Sequence, residues 1–114
     1  MTFNEYQKLA ISTDVWAGKS NGLTDPRFLD KAFGLVGESG EFAEKLKKIY
    51  RDKDGMLNAD DKQEILKELG DVLWYLSAVL HYLDTPFEDV AAANLKKVLS
   101  RKDRGALHGS GDNR

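Results

Sequence analysis

The stretches GLVGESGEFAEKLKK (residues 34–48) and KELGDVLWYL (residues 67–76) decide how this chain is read. Each carries two acids three residues apart, Glu38 with Glu41 and Glu68 with Asp71, inside a run whose apolar residues recur at a helical period. In the first run Leu35, Phe42, Leu46 and Ile49 share one side, with Glu38 at its border and Glu41, Lys45 and Lys48 just beyond. In the second, Ile65, Leu69, Val72, Leu76, Val79 and Leu83 form the apolar face, flanked by Glu64, Glu68, Asp71 and Tyr75. Two helices packed through those apolar faces bring the acidic stripes together along one edge. Like charges held that close call for a compensating cation.

Outward from these runs the punctuation is helical throughout. Thr2 with Glu5 reads as a capping box for a first helix reaching about Trp16, followed by a polar loop from Gly18 to Thr24. Asp25-Pro26 opens a second helix to about Arg51, and DKDG at 52–55 breaks it. Asn58 with Asp61 opens a third, to about Leu83. Thr85-Pro86-Phe87-Glu88 combines a capping box with a first-turn proline for a fourth, ending near Arg104. No alternating segment competes as a strand. The expected fold is all-α, a four-helix bundle over residues 1–104 with a glycine-rich tail at 105–114, mobile unless a ligand orders it.

Composition narrows the function classes. The chain has 114 residues, with 17 Lys+Arg against 19 Asp+Glu and a net charge of −2, which argues against coating nucleic acid or an anionic membrane. Cysteine is absent, which removes disulfides, thiolate metal sites and cysteine nucleophiles. The longest uncharged run, Val72 to Leu83, is too short to span a bilayer, and the N-terminus lacks a basic-then-apolar signal pattern. A cytoplasmic protein is the expectation. A core this small favours a homodimer or homotetramer.

The donor types select the ion. Carboxylate oxygens with no His or Cys in the set favour Mg²⁺, with Mn²⁺ as a substitute; Mg²⁺ keeps waters and recruits substrate phosphates as further ligands. Gly34, Gly37, Gly40 and Gly70 each cost a helix roughly 0.5–1 kcal/mol against alanine, and their placement beside the acids suggests close backbone approach there.

The two stretches together resemble the signature of the MazG-like nucleoside triphosphate pyrophosphohydrolases, an all-α superfamily that includes dimeric dUTPases and phosphoribosyl-ATP pyrophosphohydrolase. The resemblance spans roughly residues 3 to 104. It implies Mg²⁺ held by Glu38, Glu41, Glu68 and Asp71, and cleavage between the α and β phosphates to give a nucleoside monophosphate and pyrophosphate. Such an activity serves nucleotide-pool control. Gly37 stands where many relatives carry a further Glu, so that acid's role does not transfer. The alternatives are a phosphoribosyl-ATP or dUTP-type pyrophosphohydrolase, or, in another class, a helical interaction module without catalysis.

Other residues take provisional roles around this centre. Glu41 and Glu64 are candidate general bases. Lys45 and Lys48 continue the acidic stripe, and Asn94, Lys97, Arg101 and Arg104 form one stripe of the fourth helix, so both sets can clamp phosphate. Trp16 is the best candidate to stack a nucleobase, and Gln7 could read a base edge. Phe3 and Phe28 fit the core, Tyr75 a rim position, and His81 a structural one.

Overall fold

A computed structural model describes residues 1–19 and 21–114. Four helices make up the fold: α1 (Phe3–Ile11), α2 (Pro26–Lys53), α3 (Ala59–Tyr82) and α4 (Phe87–Asp103). No strand occurs among the described residues, so the all-α expectation holds. None of the helices is long and apolar enough to cross a membrane.

The long α2–α3 hairpin is the frame. Asp25 caps α2 by accepting from the Arg27 amide at 2.8 Å, and Pro26 fills the first turn. Asp54 and Gly55 end α2 in left-handed conformations (φ 49° and 75°). Asn58 then caps α3 by accepting from the Asp61 amide at 2.8 Å, and Lys53 ties the turn together through Asp61 at 2.7 Å. These boundaries match the local sequence signals to within two residues.

The first helix is shorter than the sequence suggests. Its capping box forms, but the helix stops at Ile11 instead of running to Trp16. Ser12 Oγ donates to the Leu9 carbonyl and Thr13 Oγ1 to the Ala10 carbonyl, closing tight turns in place of further helix. Trp74 Nε1 fixes that end, donating to the Ala10 carbonyl at 3.2 Å and to Thr13 Oγ1 at 3.1 Å.

The start of α4 also departs from the local pattern. Pro86 is the cap residue, and Thr85 Oγ1 turns back to the Leu83 carbonyl. The first amides of α4 are instead satisfied by α1: Gln7 Oε1 accepts from Phe87 N at 3.1 Å and Asn4 Oδ1 from Glu88 N at 3.0 Å. Buried Gln7 also donates to the Ser77 and Thr85 carbonyls. Its amide therefore joins three segments and is not free to read a base.

Burial departs from simple phase as well. Leu69 and Leu83, expected in the core, are 41% and 46% exposed, whereas Glu68 is 8% exposed. Within the acidic stripe of α3 Glu68 alone is buried, Glu64 and Asp71 being exposed, and the apolar stripe turns partly outward. Phe33, Val36, Leu95 and Leu99 are exposed too, and Phe3, expected inside, is half exposed while stacking on Phe87 at 4.8 Å. The chain exposes 8109 Å², against about 6,300 Å² for a compact monomer of its mass. Its radius of gyration is 17.0 Å, against about 13 Å for a compact domain of this length.

The glycines separate into two groups. A Cβ on Gly34 would lie 2.1 Å from Tyr75 Cε1, so this glycine lets the tyrosine ring lie against α2. At Gly37, Gly40 and Gly70 a Cβ would meet nothing within 4 Å, so the close approach expected there does not occur within one chain. Gly34→Ala should therefore destabilise by roughly 1–3 kcal/mol through overpacking. Gly40→Ala should stabilise the isolated chain by ~0.5–1 kcal/mol. Denaturant unfolding of the two variants reads the opposite signs.

Candidate metal and phosphate site

Three of the four signature acids converge. Glu38 and Glu41 from α2 and Glu68 from α3 each present a carboxylate oxygen, and these oxygens lie within 4.8 Å of one another. The spacing of three on α2 puts its two acids on adjacent turns of one face, and the α2–α3 crossing supplies the third. Asp71, one turn beyond Glu68, is exposed and stands at the margin of the cluster. Its charge still reaches Glu38. The Glu38 carboxyl titrates above its ordinary range because burial disfavours the anion, with Glu41, Asp71 and Glu68 adding repulsion.

Every donor in the cluster is a carboxylate oxygen, and one of the three acids is buried. Such a set fits a hard divalent cation, which would compensate the negative charge gathered there. Part of the compensation comes from Lys45. Its Nζ lies 2.6 Å from Glu68 Oε1 and 3.2 Å from Glu64 Oε2, and the hydrogen bond to Glu68 leads the effects that hold its ammonium above the ordinary lysine value. Glu64 also pairs with Lys67, and the hydrogen bonds from Lys67 and Lys45 hold its carboxyl below the usual carboxylate range. A carboxylate so engaged is a weakened proton acceptor. Glu41 is exposed and has no ion pair among the described residues.

Beside the cluster, Lys45, Lys48, Asp52, Lys53, Asp61 and Glu64 border a cleft of about 340 Å³. Lys45 and Lys48 thus share this cleft, and Lys45 joins it to the acids through Glu68. The stripe of α4 does not join them within the chain. That helix packs on α1 and α3 and makes no contact with α2, so Asn94, Lys97, Arg101 and Arg104 remain apart from Glu38 and Glu41. Lys97 and Arg101 are engaged by Asp112, and Arg104 by Ser100 Oγ and the Arg114 carbonyl.

Trp16 lies beyond the end of α1, half exposed, with its carbonyl beside Tyr82 Oη. Its ring stands 5.8 Å from Lys31 Nζ, and Lys31 is two turns before Glu38, about 10 Å along α2. Lys31 belongs to a buried knot that the sequence reading missed. Its ammonium pairs with Asp14 at 2.9 Å, and Tyr82 Oη donates to the other Asp14 oxygen at 2.6 Å. The rings of Trp16, Trp74 and Tyr82 surround it at 5.7–5.9 Å. The signal was a lysine in helical phase with Leu35, Phe42 and Ile49. His81 stacks edge-on against Tyr82 at 5.4 Å.

Comparison with known proteins agrees with this geometry. Residues 31–105, which contain all four signature acids and the whole of α4, match the family described as MazG nucleotide pyrophosphohydrolase domain. The chain is also 43% identical over 109 residues to the Gene 37 protein of Mycobacterium phage L5, covering 96% of each chain. No solved structure matches it significantly. The family match supports a function of the nucleotide pyrophosphohydrolase type, on a fold with four helices and with three signature acids converging. The chain belongs to the MazG nucleotide pyrophosphohydrolase family.

Proposed function

We propose that this chain is a Mg²⁺-dependent nucleoside triphosphate pyrophosphohydrolase, cleaving between the α and β phosphates to release a nucleoside monophosphate and pyrophosphate. The observation that carries this reading is the convergence of Glu38, Glu41 and Glu68 inside the segment that matches the family. These three would hold the ion, with Asp71 completing the set from its margin. Mg²⁺ there would neutralise phosphate charge and make a bound water more acidic. Mn²⁺ satisfies the same donors.

The chain's own residues take the remaining roles. Glu41, exposed and unengaged by lysine, is the carboxylate placed to accept the water's proton, while Glu64 serves to hold Lys45. Lys45 and Lys48 meet phosphate oxygens from the neighbouring cleft. Trp16 offers a flat wall for the base at a distance from the acids that leaves room for sugar and phosphates.

The clamp on α4 is assigned to a second copy. Asn94, Lys97, Arg101 and Arg104 do not reach the acids of their own chain, and the surface excess of about 1,800 Å² matches what an obligate partner buries. A homodimer or a dimer of dimers, with α4 of one copy near the acids of another, accounts for both observations.

The test is a panel of ribo- and deoxyribonucleoside triphosphates incubated with Mg²⁺ and followed by phosphorus-31 NMR. Pyrophosphate and monophosphate are the expected products from at least one member. Orthophosphate with diphosphate would contradict the bond assignment. No turnover together with no Mg²⁺ binding would favour the interaction module.

A further inference from the structure

Residues 105–114 lack helix but are far from featureless. Gly105, Gly109 and Gly111 adopt positive φ of 66°, 121° and 82°, conformations that favour glycine and turn the chain back along the end of α4. The return delivers Asp112 to the basic stripe. Its Oδ1 accepts from Lys97 Nζ and from Arg101, each at 3.2 Å, and its carbonyl accepts from Arg101 at 2.6 Å. Arg104 secures the end of the tail through the Arg114 carbonyl at 3.0 Å.

The arrangement leaves cationic donors unused. Arg101 is only 6% exposed, and its Nε is buried with no hydrogen-bond partner. The Nε of Arg114 is in the same condition, and both guanidinium groups donate to the Gly111 carbonyl, so the two spare donors border one turn. A guanidinium fork is matched by an anion that offers several oxygens, and one carboxylate oxygen shared with Lys97 falls short of that. Lys97, ahead of Arg101, holds the Asp112 carboxyl below its usual range, so the resident group is an anion at neutral pH.

The geometry points to an intramolecular latch: Asp112 occupies the Lys97–Arg101 anion site in the free chain and must be displaced when a phosphate-bearing ligand takes that site. This inference rests on the reading that Lys97 and Arg101 clamp phosphate. The ligand class is a di- or triphosphate, whose additional oxygens can satisfy the Arg101 Nε that Asp112 leaves unpaired. The Asp112 side chain is 81% exposed, so the latch is weak enough to open.

Titration calorimetry with inorganic pyrophosphate in metal-free buffer tests it without catalysis. Asp112→Asn, which removes only the competing charge, should bind pyrophosphate roughly three- to tenfold more tightly than the natural chain. Arg101→Ala should bind at least about tenfold more weakly. Unchanged or weaker binding by Asp112→Asn, with Arg101→Ala impaired, would overturn the latch and leave the clamp standing. Unimpaired binding by Arg101→Ala would remove the clamp and the latch with it. Hydrogen exchange gives a second reading in the natural chain: pyrophosphate should speed exchange across residues 105–114, and slowed exchange there would overturn the latch.

Discussion

Glu38→Gln should lower kcat/KM for the preferred triphosphate by roughly a hundredfold or more, equivalent to ~2.7 kcal/mol of barrier, while leaving the helices intact. Glu38 is half-buried at the centre of the cluster, and burial together with the charges of Glu41, Asp71 and Glu68 works against its ionisation. Neutralising it removes repulsion from the chain without the ion. Thermal stability in EDTA should therefore hold or rise, even as activity disappears. This opposition of signs separates a ligand from a structural acid. Loss of stability in parallel with activity would indicate a fold defect, and retained Mg²⁺-dependent turnover would sink the site assignment.

Asp14→Asn should produce the largest loss of stability, on the order of 3 kcal/mol and about 10 °C or more in Tm. Asp14 and Lys31 have side chains only 1% and 5% exposed, so removing the carboxylate strands a buried ammonium. Asp30, half exposed, also reaches Lys31 at 2.9 Å and remains in the variant, which places the cost at the lower end of the range for broken buried pairs. Burial alone would raise the Asp14 carboxyl. Hydrogen bonds from Tyr82, Lys31 and the Trp16 amide outweigh burial and hold it below its ordinary value. A depressed folded pKa contributes stability that is complete above the unfolded value of ~4 and is lost as pH falls through the folded value. Thermal melts of the natural chain and Asp14→Asn should therefore differ widely at pH 7 and converge as the pH falls through the lowered Asp14 value. The double variant Asp14→Asn with Lys31→Met should recover part of the loss at pH 7; no recovery would place the damage elsewhere.

What the sequence made legible was whatever depends on neighbours along the chain. Asp25-Pro26 and Asn58 begin their helices because their caps are satisfied within two or three residues. Thr85 misled because the α4 amides find Asn4 and Gln7, more than 75 residues away, and no local pattern encodes such a partner. The same long-range bonds account for Gln7, whose amide reads as a base donor in sequence and is buried as a brace in the fold. Phase located the acids at the edge of the α2–α3 interface, where Glu41 and Asp71 stay exposed, but did not show that Glu68 is buried within it. A quarter-turn decides between those positions, and Gly34, by admitting Tyr75 against α2, is a local feature that bears on it. Leu69 and Leu83 look like core residues by periodicity, yet one chain leaves them substantially exposed. Periodicity reports that a face is apolar and is silent on whether its cover comes from the same copy. The tail was unreadable for a similar reason: its glycines signal turns, whereas its position is set by Lys97 and Arg101 on another element.

Mn²⁺ titration followed by electron paramagnetic resonance tests the proposed divalent-cation site of Glu38, Glu41 and Glu68 without any assumption about substrate. The signal of free Mn²⁺ should fall as the natural chain is added and return on addition of excess Mg²⁺. Glu38→Gln, folded by circular dichroism, should bind at least about tenfold more weakly. Equal Mn²⁺ uptake by the natural chain and Glu38→Gln, or no uptake by the natural chain at all, would contradict that proposal.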